Sequence, residues 1–182
     1  MALGYAILGT IQVDYGLNQN QIAMLSVYNT IVAALGSIIG GIFADKFGQK
    51  KMLSLFILLT VIPTLILAVQ ISKVGLTAVP IELFYGAIIT HGLFFGMAFG
   101  VQASLFMGIT NPAVAATQFT AFMAMTNLAV SMANYWQGMI AERIGYAMVF
   151  YIDSLLVLLP LAILPFLKSR EEELALKKVA GI

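Results

Sequence analysis

The chain has 182 residues, of which 61% are hydrophobic and only 9% charged, with a formal net charge of +1. An ordinary soluble domain carries about 25% charged residues, so a soluble core of this size is excluded and lipid is the expected solvent. The small, unclustered charge leaves no footprint for nucleic acid, and the absence of cysteine rules out thiol chemistry. The composition predicts an all-α, polytopic membrane helix bundle.

A helix needs roughly 20 apolar residues to cross about 30 Å of hydrocarbon. The first apolar run, residues 1–13, is too short, about 20 Å as a helix, and Asp14 ends it. It is either re-entrant or the tail of a helix whose start is missing. Full spans follow at about 21–43, 51–71, 81–108, 112–140 and 145–167. In the first of these, Tyr28 and Asn29 are polar, while Ala33, Gly36 and Gly40 are packing residues. The 51–71 span is almost purely apolar and reads as a lipid-facing support, as does 145–167 apart from Asp153 and Ser154. In 81–108, Gly92, Gly96 and Gly100 form a smooth ridge for close helix packing. His91, the only histidine, and Gln102 share a neighbouring face of that span. Histidine titrates near pH 6.5 when unperturbed, so His91 is read either as a satisfied polar residue or as a proton carrier.

Thr110-Asn111-Pro112 has the chemistry of a helix start, with Asn111 as N-cap and proline in the first turn. Pro80 plays the same part before the 81–108 span. Along 112–140, Thr120, Asn127, Ser131 and Asn134 fall within an arc of about 60° at 100° per residue. Such residues either bind helices together or line a water-filled cavity, and four on one narrow stripe favour the cavity. Tyr135 and Trp136 read as aromatics of the membrane interface. Residues 168–182 form a charged tail. The substrate-binding candidates are therefore Asn29, His91, Gln102, Thr120, Asn127, Ser131 and Asn134.

An internal repeat orders these spans. Gly41-Ile-Phe-Ala-Asp-Lys-Phe-Gly48 is echoed 97 residues later by Gly138-Met-Ile-Ala-Glu-Arg-Ile-Gly145. An odd number of spans separates the copies, which puts them on opposite sides of the membrane, as in the inverted three-plus-three repeats of secondary transporters. The same offset pairs the short first run with the tail of 81–108, so the first helix is expected to be truncated. Seven lysines and arginines fall on the side of residues 44–51 and the tail, against Lys73 and Arg143 on the other. That bias places the first side in the cytoplasm of an inner or plasma membrane.

The segment Gly41-x-x-x-Asp45-Lys46-x-Gly48-x-Lys50-Lys51 resembles the signature loop of the major facilitator superfamily, which joins the second and third helices of each six-helix half. The resemblance implies a C-terminal half of that fold, with the N-terminal six-helix half of the same polypeptide as partner. It implies gating by Gly41, Asp45, Lys46 and Gly48, with the acid reaching a helix N-terminus in the other half. The Ala-Thr-Gln-Phe run at 116–119 is similar to the muropeptide permease and acetyl-coenzyme A transporter branch. That likeness implies a muropeptide-like or acyl-type solute and proton coupling. No cofactor, metal or catalysis is expected. The rival readings are a non-transporting six-helix scaffold and an intramembrane enzyme, and the second lacks any serine-protease or zinc motif.

Overall fold

The computed structural model describes residues 7–166, and these form helices joined by short turns, with no strand among them. The helices are α1 (Leu8–Tyr15), α2 (Gln19–Phe47), α3 (Gln49–Val74), α4 (Ile81–Ile109), α5 (Ala115–Ile144), α6 (Tyr146–Leu156) and α7 (Leu159–Ile163). Helices α2, α3, α4 and the α6–α7 pair are long and apolar enough to cross a membrane. Helix α5, at 30 residues, is long enough, but its polar stripe lowers its hydropathy. This is the all-α bundle expected of one half of a major-facilitator fold. The charged tail lies outside the described residues.

Helix α4 occupies the middle, packed along α2 on one side and α3 on the other, with α6 against α3. The α2–α4 contact is made by small residues, as the ridge of glycines predicts. Gly92 faces Asn29, Gly96 faces Ala33 and Gly100 faces Ser37, while Gly36 and Gly40 of α2 meet the backbone of Leu93 and Met97. A Cβ added at Gly100 would lie 2.6 Å from the Ser37 carbonyl oxygen, which leaves no room for any other residue. Two apolar clusters flank this seam. One gathers Ile11, Leu25, Leu67, Phe84 and Val149, and the other Ala44, Phe56, Ile57, Val101 and Leu105.

The repeat is visible in the backbone. Gly48 both ends α2 and begins α3 at φ +95°, and Gly145 does the same between α5 and α6 at φ +96°. A single residue turns the chain from one helix into the next only in this region, which favours glycine. Gln49 Nε2 donates to Ser104 Oγ at 2.8 Å near the end of α4. At the start of α4, the Tyr15 hydroxyl donates to the Val79 carbonyl at 2.7 Å, and Tyr146 donates to Asp14 at 2.5 Å. The two glycine junctions therefore stand at opposite ends of the bundle.

Four details differ from the expectations or refine them. Helix α1 continues through Asp14 and stops at Gly16, whose positive φ and backbone bonds to Gln12 and Val13 close it. Within the last span the helix is interrupted: α6 ends at Leu156 and α7 restarts at Leu159, while Tyr146–Ile163 as a whole stays long and apolar enough to cross. Pro160 explains the break, since it lacks an N–H and its ring crowds the carbonyl of Leu156. The apolar α3 and α6 are not merely lipid-facing, because Thr60, Thr64, Asp153 and Ser154 all point into the bundle. Trp136 also turns inward onto the first apolar cluster, whereas Tyr135 is exposed.

Candidate functional site

The start of α5 is built as its sequence indicates. Asn111 accepts from the Ala113 N–H at 3.1 Å and caps a short 3-10 turn, Pro112–Val114, from which α5 grows. Gln118 accepts from the Asn111 N–H at 2.7 Å and pins that corner. Phe122 packs on Phe106 of α4, with ring centroids 5.2 Å apart. Further along, only Ala133 and Gln137 of α5 are buried. The helix is thus held near its two ends and leans away from the bundle between them.

The seven substrate-binding candidates fall into three places. Thr120, Asn127, Ser131 and Asn134 share one face of α5 and are all exposed. Thr120 and Ser131 donate to carbonyls of their own helix, from Ala116 and Asn127, so neither hydroxyl is spent on a neighbouring helix. Gln102 and Asn127 border a groove of about 720 Å³ between α5 and the α3–α4–α7 side. Its other walls are mainly apolar, with Phe95, Phe99, Phe106 and Phe122 prominent. That volume lies within the range of small-molecule pockets. Asn29 and His91 instead line a separate cavity of about 40 Å³ among α1, α2, α3 and α4. Asn29 Oδ1 is buried there without a partner among the described residues, pressed against Gly92.

The gating candidates lie at the Gly48 end. Asp45 is exposed in the last turn of α2, and Lys46 beside it places its ammonium 5.3 Å from the Phe47 ring centre. Gly48 is explained by its positive φ. Gly41 is not explained by close helix approach among the described residues, because a Cβ there would meet none of them within 4 Å.

One polar cluster escaped the sequence reading. Gln137 of α5 is fully buried and donates from Nε2 to Asp153 Oδ1 of α6 at 2.9 Å. Thr60, Thr64, His91 and Ser154 border the same small cavity as Asp153. The available signal was Gln137 itself, an amide lying off the Thr120–Asn134 stripe in an otherwise apolar turn.

A bundle of membrane-length helices with inverted glycine junctions and a polar face on one loosely held helix is the architecture of a transporter half. A family model for the Major Facilitator Superfamily matches residues 1–181. The chain belongs to that superfamily, whose members are transporters rather than enzymes. No curated protein and no solved structure matches it.

Proposed function

We propose that the chain forms one half of a secondary active transporter that moves a small solute by alternating access, with the polar face of α5 as part of the solute path. The observation that carries this reading is the exposed stripe of Thr120, Asn127, Ser131 and Asn134. Thr120 and Ser131 bond to their own helix, but the side-chain amides of Asn127 and Asn134 have no such partner among the described residues. Uncompensated polar groups are expensive in hydrocarbon, so such a face borders water or a second half rather than lipid. The groove beside Gln102 and Asn127 offers the adjoining volume. The partner is a second six-helix half, with the lipid bilayer around both. The Ala-Thr-Gln-Phe run supports a muropeptide-like or acyl-type solute, and proton coupling belongs to the same reading.

The chain has no cysteine, so single cysteines test this directly. Cysteines at Asn127, Ser131 and Asn134 should react with a water-soluble maleimide in membranes, while one at Met132, exposed on another face of α5, should not. Stripe cysteines as inert as Met132→Cys would sink the solute path. Asn127→Leu and Asn134→Leu should also impair uptake without loss of thermal stability. The opposite pattern would make these residues helix–helix glue.

Orientation is tested in the same way. The lysine and arginine bias supports an orientation with the Gly48 end in the cytoplasm, in an inner or plasma membrane. In intact cells, Lys51→Cys should react only with permeant reagents, and Val74→Cys with impermeant ones from outside. The reverse labelling would invert the proposed topology.

A further inference from the structure

Asp153 sits on α6 about 10 Å in from Tyr146, and is only 4% exposed. It faces three packed neighbours. From α5 comes Gln137, whose amide nitrogen donates to Oδ1. From α3 come Thr60 and Thr64, whose hydroxyls donate to carbonyls of their own helix. From α4 comes His91, the one other titratable group on the cavity they share. Tyr146 and Asp14 form a separate pair at the start of α6.

The arrangement is incomplete in a specific way. Gln137 Oε1 is buried and has no donor among the described residues, and Ser154 Oγ beside Asp153 is likewise without a partner. An ionised carboxylate only accepts hydrogen bonds, so it can use the amide N–H but offers nothing to the amide oxygen. A neutral carboxylic acid has both functions: it accepts at one oxygen and donates from the other. The buried acceptor on Gln137 therefore matches the protonated acid. Removing a buried polar atom's partner is costly, which gives the match its weight.

We propose that Asp153 is a proton-binding site inside the half-bundle, and that Gln137 converts its protonation into a change in how firmly α5 is held. Binding is the addition of one proton from water to a carboxylate oxygen, giving a neutral acid that donates to Gln137 Oε1 while still accepting from Nε2. Gln137 and Ala133 are the only buried residues of α5, so this pair is the polar clamp of that helix on α6. Loss of the proton leaves one hydrogen bond where there were two, and α5 with its polar stripe is released. A metal cation fits the site less well. The cavity measures about 10 Å³, the space of one water-sized sphere, and beside Asp153 its oxygens are only the hydroxyls of Thr60, Thr64 and Ser154, the other walls being Val61, Phe95, Val157 and an imidazole. The link from this proton to solute movement rests on the transporter reading above; the binding of the proton does not.

The protein supplies its own reporters. Trp136, the only tryptophan, adjoins Gln137, and the other aspartates, Asp14 and Asp45, are exposed. In protein reconstituted into lipid nanodiscs at neutral pH, infrared spectroscopy should show a carboxylic-acid carbonyl band that shifts on ¹³C-aspartate labelling and vanishes in Asp153→Asn. Trp136 emission should follow a one-proton titration that Asp153→Asn abolishes and His91→Gln retains. Gln137→Leu should uncouple the two, keeping an acid band that titrates while silencing the emission change. The proposal is overturned if wild-type protein shows no labelled acid band, if the emission titration survives Asp153→Asn, or if sodium at fixed pH reproduces it. Solute uptake is scored separately. A protein that titrates as described yet moves no solute keeps the proton site and loses the transporter reading.

Discussion

Gly96→Leu is expected to abolish the well-packed bundle, giving aggregated or broadly melting protein in detergent, whereas Gly86→Leu on the same helix should melt within a few degrees of wild type. The two glycines differ in what surrounds them. A Cβ at Gly96 would lie 2.7 Å from the Ala33 Cα and closer still to its carbonyl oxygen, while a Cβ at Gly86 would meet nothing within 4 Å. The obstacle at Gly96 is backbone, which cannot swing aside as a side chain can. The helices must separate, and with them go the neighbouring contacts at Gly92 and Gly100. Inserting extra methylenes into a well-packed core typically costs about 1–3 kcal/mol, occasionally more. A leucine at Gly96 sets four carbons against backbone that cannot swing aside, so the loss should exceed about 3 kcal/mol, a large part of a domain's total stability of about 5–15 kcal/mol. Size-exclusion profiles and thermal melts of both variants check this. Equal melting of Gly96→Leu and Gly86→Leu would mean that α2 and α4 do not meet through these glycines.

That seam was legible in the sequence because small residues at four-residue spacing have few other uses in a membrane helix. The helix ends were legible too, since Gly48, Gly145 and Asn111-Pro112 each satisfy a local backbone requirement. What could not be read was which apolar face pointed inward. In water, hydropathy separates core from surface, but in lipid both are apolar. The buried face of α3, with Phe56, Ile57, Leu67 and Ala68, reads no differently from its exposed Leu55, Leu58, Ile62 and Ile66. Asp153 stood out as a polar exception in its span, but its partner did not, because Gln137 reaches it from another helix. The division of the polar candidates among stripe, groove and inner cavity was also out of reach. A helical wheel gives directions around one helix but not the neighbours that fill them.

Asp45→Asn is expected to reduce transport and raise labelling of the α5 stripe from the Gly48 side, with no loss of expression or thermal stability. Asp45 is exposed in the last turn of α2, where a carboxylate meets the negative end of the helix dipole. Removing its charge should leave this half of the protein unchanged or slightly more stable, so impaired folding would not account for a loss of transport. The acid is at odds with its own helix. In the transporter reading its partner is a helix N-terminus of the second half, which bears about half a positive charge. Such a contact favours the state closed on the Gly48 side by about 1 kcal/mol, a population change of about fivefold. Cysteines at Asn127 and Ser131 report that change as faster reaction with a reagent applied from that side. Lys51→Gln, a change of equal charge magnitude at an exposed position in the first turn of α3, should alter neither uptake nor labelling appreciably. Wild-type uptake and labelling in Asp45→Asn would reduce the Asp45–Gly48 segment to a loop that only orients the chain in the membrane.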